Sequence, residues 1–171
     1  MKRKPVTAEE LMARLEADPQ WVAERDRREA ERASRAAELQ ADESELVQSI
    51  RALGYEIDSV WDLVNNAPHP FLERRFIGPY ERAYPLLIQH LRASHEPGVR
   101  EGIIRSLTVR DGGATVESAL LAEFESESSP ELRWVLANAL RIAMPYSRRR
   151  KHPEIAAVYR SSASQRGDRL T

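Results

Sequence analysis

The sequence predicts an all-α chain: a short solenoid of helical hairpins preceded by a long charged N-terminal helix. Three observations predict it. One motif is written twice, 33 residues apart: Glu96-Pro97-Gly98-Val99-Arg100 returns as Ser129-Pro130-Glu131-Leu132-Arg133. Around it, Leu91, Ile103, Leu107 and Val109 return as Phe124, Leu136, Leu140 and Ile142. A fixed period of this size marks stacked two-helix units. After Pro19, the stretch from Gln20 to Leu53 contains no Gly or Pro and is rich in Glu, Arg, Ala and Gln, all good helix formers. Nowhere do apolar and polar residues alternate as a half-buried strand requires.

Taken in order, Thr7-Ala8-Glu9-Glu10 reads as a capping box, in which Thr7 and Glu10 satisfy each other's backbone amides. Leu11, Met12 and Leu15 then make a short amphipathic helix to about Ala17. Asp18-Pro19 restarts the chain as an N-cap followed by a proline at the first helical position. The long helix that follows should stop at Gly54, a natural left-handed terminator. Leu39, Leu46, Ile50 and Leu53 can dock on a core, whereas Glu24 to Glu38 offers only alanines as apolar side chains. That part is read as a solvated charged helix, with a partner-binding or dimerising arm as the alternative.

Asp58 is expected to cap a short helix carrying Val60, Trp61, Leu63 and Val64, with Trp61 in the core. Ala67-Pro68-His69-Pro70 breaks it, and Phe71 to Ile77 is expected to add a helical turn. The repeat helices are expected over 80–93 and 97–109, then from a Thr115 cap to about Phe124, then from Pro130 under a Ser129 cap. Gly102 lies within the second of these, where a missing side chain allows close helix approach. Pro145 ends the repeats. The expected organisation is therefore an N-terminal helical arm over 1–54, a repeat domain over 55–145, and a basic, flexible tail over 146–171.

Composition narrows the function classes. The chain has 171 residues, 31% of them charged, yet its net charge is only −1, so no overall field steers it to nucleic acid or an anionic membrane. With no cysteine, zinc–thiolate sites and thiol nucleophiles are excluded. Met1-Lys2-Arg3-Lys4-Pro5 is basic but no apolar segment follows, and no run is long enough to span a bilayer. The expectation is a cytoplasmic protein without membrane contact.

The segment Tyr84–Ala143 resembles HEAT-type repeats, closest to those of small bacterial HEAT-repeat proteins of unassigned role and of phycobilin lyase-like modules. The pattern that carries the resemblance is a first helix reading Tyr84-Pro85-Leu86-Leu87-Ile88-Gln89-His90-Leu91, then a capped second helix with a Val99-Arg100 or Leu132-Arg133 pair. Ser59-Val60-Trp61-Asp62-Leu63-Val64-Asn65 extends it. The resemblance implies a structural role for the arginines and a concave surface lined by the second helices.

No constellation for chemistry emerges. His90 and His95 straddle a helix end without a ligand-spaced carboxylate, and His69 and His152 lie apart. Glu123, Glu125 and Glu127 read as a solvated acidic end, with a weak cation or basic-partner site as the alternative. No cofactor is expected. The expected function is a non-catalytic scaffold that binds a protein or peptide through Glu101, Arg105, Trp134, Asn138 and Arg141. Trp134 is read either as core filler or as an exposed aromatic; Trp and Arg together are common interface anchors. The alternative is nucleic-acid binding through Arg148, Arg149, Arg150 and Lys151, which would be salt-dependent and sequence-blind. Dimerisation through the long helix is a further possibility the sequence leaves open.

Overall fold

The computed structural model describes residues 7–68 and 76–158. Every regular element among them is helical. The chain divides into two compact units at Ala41/Asp42.

The first unit holds helix α1 (Ala8–Glu16) and the first part of helix α2 (Pro19–Ala52). The Thr7–Glu10 capping box forms as expected, with both bonds at 3.2 Å. Leu11 and Met12 are about half exposed, so the apolar stripe of α1 faces solvent. Asp18 caps α2 by accepting the amides of Gln20 at 2.9 Å and Trp21 at 3.4 Å. Every residue from Glu24 to Glu38 is exposed. Alanine removes so little apolar area from water that nothing drives this stretch inward. It is held instead by propensity and by surface pairs such as Glu24–Arg28 at 2.5 Å and Arg35–Glu38 at 2.9 Å.

The second unit starts where α2 gains buried side chains: Glu43, Leu46, Val47 and Ile50. The boundary expected at 54/55 therefore falls inside α2, because its last turns carry a core stripe. Gly54 closes the helix at φ +92°, where an L side chain would be strained. Helix α3 (Trp61–Val64) follows, and its capping differs from expectation. Asp58 does not cap it; Asp62 reaches back to accept the Asp58 and Ser59 amides at 2.7 and 3.0 Å. Glu43 accepts the Val60 amide at 2.9 Å and the Ser59 hydroxyl at 3.0 Å, which gives a buried carboxylate its partners.

A 3₁₀ turn (Glu81–Ala83) leads into α4 (Tyr84–Leu91), then α5 (Pro97–Ser106), α6 (Gly113–Ser126), α7 (Pro130–Ala143) and α8 (Tyr146–Arg149). Ser129 caps α7 as expected, through the Leu132 amide at 3.3 Å. Thr115 is not the cap of α6, which starts two residues earlier at Gly113, whose φ of +64° makes the turn. Helix α5 ends at Ser106, short of Val109. The helical turn expected at 71–77 lies outside the described residues except for its last two positions, as does the tail beyond 158. Up to 158 the tail is packed: residues 153–158 are helical and Ile155 is buried.

Packing follows the repeat. Helix α4 packs on α5 and α6 on α7, while α4 also meets α6 and α5 meets α7. First helix lies against first helix, and second against second. The core is matched position by position under the 33-residue shift: Leu87/Leu120, Leu91/Phe124, Ile103/Leu136 and Leu107/Leu140 are all fully buried. Each such side chain contributes about 1.5–3 kcal/mol relative to exposure. Helix α3 packs on α5, where a Cβ on Gly102 would stand 2.6 Å from Val60 Cγ1. The helix-interior glycine is there because Val60 occupies the side-chain space.

Candidate interaction surface

The arginines of the repeated motif fix the hairpins. Arg100 Nη1 donates to the Leu91 carbonyl at 2.7 Å, and Arg133 Nη1 donates to the Phe124 carbonyl at 2.7 Å. Leu91 and Phe124 correspond under the same shift, so each second helix caps the C-terminal turn of its own first helix. Such carbonyls have no partner within their helix. The Arg133 guanidinium also lies 4.2 Å from the centre of the Phe124 ring. Arg100 reaches across to the next hairpin: Nη2 to Glu123 at 2.7 Å and Nε to Glu127 at 3.3 Å. The acidic end of α6 is therefore not a solvated face at Glu123 and Glu127; their side chains are 17% and 10% exposed and pair with Arg100. Only Glu125 of the three faces solvent fully.

With Arg100 and Arg133 turned to the hairpin ends, the sequence-predicted surface positions on these two helices are Glu101, Arg105, Trp134, Asn138 and Arg141. Glu101 and Arg105 on α5 correspond to Trp134 and Asn138 on α7 under the 33-residue shift. All four are half-buried, and Arg141 is exposed one turn beyond Asn138. Glu101 Oε1 and Arg105 Nε pair at 2.7 Å, with each side chain one-third exposed. The pair joins opposite charges on α5, while the α7 portion carries the exposed Glu131 and Arg141 at its two ends. Because α5 packs on α7, the five predicted residues fall on the two adjoining second helices.

The basic residues of the tail have structural roles in part. Arg148 pairs at 2.6 Å with Glu117, a largely buried carboxylate on α6. Arg149 donates to the carbonyls of Arg141 and Met144 at the end of α7, where a cation also suits the helix dipole. Arg150 and Lys151 are exposed.

Sequence reasoning missed a third group. Asp42 Oδ2 lies 3.0 Å from His95 Nδ1, and His95 Nε2 lies 3.1 Å from His90 Nδ1. The carboxylate absent near the histidines in sequence arrives from 53 residues away on α2. A signal existed: Asp42 and Glu43 continue the stripe of Leu46 and Ile50, so acids stand where core residues were due. Burial, and secondly the neighbouring His95, lower the pKa of His90 from its usual 6.5. Among the described residues, no three His, Cys, Asp or Glu side chains are grouped to hold a metal ion.

Two tyrosines close the other side of α4. Tyr80 donates to the Ser106 carbonyl at 2.8 Å, and Tyr84 donates to Asp111 at 3.0 Å. Burial, then the Asp111 charge, pushes the Tyr80 phenol up to about 12. These tie the end of α5 to the segment before the 3₁₀ turn and the α5–α6 turn to the start of α4, and both phenols remain protonated donors.

No family model, curated protein or solved structure matches the chain. No described helix is long and apolar enough to cross a membrane. The class the geometry supports is an all-helical protein built around two matched hairpins.

Proposed function

We propose that the chain is a non-catalytic interaction scaffold, a short HEAT-like solenoid that binds a protein or peptide on the α5/α7 face. The observation that carries the proposal is the correspondence of Glu101 with Trp134 and of Arg105 with Asn138 on two packed second helices. Stacked repeats present equivalent positions as one continuous surface, and such surfaces are where repeat proteins bind. The half-buried indole of Trp134 supplies apolar contact area, with the half-buried Asn138 beside it and Arg141 exposed. Binding of this kind needs no reacting group.

The test is a paired affinity purification with mass spectrometry, using the unaltered chain and a Trp134→Ala/Arg141→Ala variant. The proposal expects an unchanged circular-dichroism spectrum and loss of a specific co-purifying protein. Equal recovery by both proteins would remove the α5/α7 face from consideration.

Nucleic-acid binding is the second reading, favoured by the exposure of Arg150 and Lys151 in a run with no acidic residue from Arg141 to Pro153. It is the weaker reading because Arg148 and Arg149 are engaged with Glu117 and the α7 carbonyls. A duplex and single-strand titration at two salt concentrations distinguishes it, since phosphate contacts weaken steeply with salt.

A further inference from the structure

The Asp42–His95–His90 chain is a set of three titratable groups joined in line. Asp42 Oδ2 is shared between His95 Nδ1 and the Glu96 amide, each at 3.0 Å. The two imidazoles meet at 3.1 Å, with ring centres 5.2 Å apart and planes tilted by 31°. Both rings are shielded: His90 is 7% exposed and the His95 side chain 6%. Glu96 is the residue before the first turn of α5, so the carboxylate of α2 holds the α4–α5 corner at two points.

The hydrogen-bond roles can be counted. With no added proton, His95 donates Nδ1–H to Asp42 and accepts at Nε2 from His90 Nδ1–H. With one proton, His95 is an imidazolium that donates at both nitrogens, to Asp42 and to a His90 that has moved its own hydrogen to Nε2. Both states satisfy every contact. With two protons, Nδ1–H of His90 and Nε2–H of His95 face each other at a hydrogen-bond distance with no lone pair between them. Two positive charges would also meet between shielded rings 3.1 Å apart, which opposes a second proton.

We propose that this group is a proton-counting latch, which fastens α2 to the α4–α5 corner when it holds zero or one proton and opens when it holds two. The charges bearing on His90 are Asp42 and Glu45 from α2 and His95 from the corner. Those that α5 and α6 bring to this hairpin end, Arg100, Glu123 and Glu127, are paired with one another. On His90, burial and the neighbouring His95 oppose a proton, and they outweigh the carboxylates of Glu45 and Asp42, which favour it. The latch is a regulatory device independent of the binding reading: it needs no partner, and it acts on the last turns of α2, inside the second unit.

The full chain carries the test. Amide exchange of Glu96, corrected for the intrinsic effect of pH, is followed by NMR from about pH 7.5 to about pH 4.5, together with the ring nitrogens of His90 and His95. The latch predicts two ring titration steps, with Glu96 protected through the first. It then predicts loss of protection by about tenfold per pH unit through the second, as one linked proton requires. In His90→Asn the carboxamide can still donate to His95 Nε2 but takes no proton, and Glu96 should stay protected across the range. Either of two results overturns the proposal: both rings charged while Glu96 remains protected, or loss of protection in His90→Asn over the same pH interval as in the unaltered chain. The ring measurement needs no variant, so it decides the matter even if His90→Asn does not fold.

Discussion

Arg100 and Arg133 occupy the same place in two copies of one motif, yet their surroundings differ in a way that sets their energetics. Both close a helix C-terminus through a carbonyl at 2.7 Å. Arg100 additionally neutralises two carboxylates that are mostly out of water. Removing it strands both charges, and breaking a pair in that setting costs about 3 kcal/mol, less where water still reaches. Arg133→Ala loses carbonyl bonds and a ring contact, a cost of about 1–2 kcal/mol. Urea denaturation should therefore rank Arg100→Ala as the more damaging change; the reverse order would contradict the pairing. Gly102→Ala belongs at the same scale. Its Cβ would meet Val60 at 2.6 Å and the Trp61 Nε1 at 3.0 Å, and fully buried Val60 has nowhere to go. Overpacking of about 1–3 kcal/mol outweighs the roughly 1 kcal/mol of helix propensity that alanine returns. A net loss of stability with altered Trp fluorescence is expected. His90 adds a pH dependence whose sign follows from its lowered pKa. The unfolded chain takes up a proton near pH 6.5 that the folded chain refuses, so stability is lost as pH falls below that value. The slope reaches at most about 1.4 kcal/mol per pH unit for one proton. His90→Asn should flatten this part of the stability profile.

Helix α2 shows how one element can have two characters. Its termini were legible because caps are local: Asp18 and Pro19 start it and Gly54 stops it. Its burial pattern was legible too, since Leu46 and Ile50 continue a stripe that alanines interrupt. Leu46→Ala or Ile50→Ala should cost about 2–5 kcal/mol, because the fully buried site is left with a cavity. Arg28→Ala, among exposed residues, should change stability by less than about 0.5 kcal/mol in the same assay. What could not be read from local sequence was capping supplied from a distance. Glu43 reaches residues 59 and 60 from 16 and 17 positions away. Helix α6 starts early for a related reason: Gly113 adopts φ +64° and sets the first turn before Thr115 is reached. A double glycine gives no signal of its own as to which residue makes that turn.

At the scale of the molecule, periodicity was the informative signal and long-range polar contact the uninformative one. A 33-residue shift superimposes the apolar positions Leu91/Phe124, Ile103/Leu136 and Leu107/Leu140, and these are buried together. The same shift aligns the polar positions Glu101/Trp134 and Arg105/Asn138 on neighbouring helices. Which of these positions correspond on neighbouring helices was thus readable, since a repeat fixes that. The ion pairs were not: Arg100 bonds acids 23 and 27 residues on, and Asp42 meets His95 across 53 residues. Residue spacing carries no record of those distances. The proposed function requires the α5/α7 face to meet a partner, and site-specific photo-cross-linking tests that most directly. A photoreactive residue is placed at Asn138 on the face and, in a second protein, at exposed Ser118 on α6. A scaffold that binds on this face yields a discrete cross-linked protein from position 138 that is absent from position 118 and disappears with Trp134→Ala. Equal cross-linking from both positions, or a product from 118 alone, would contradict it.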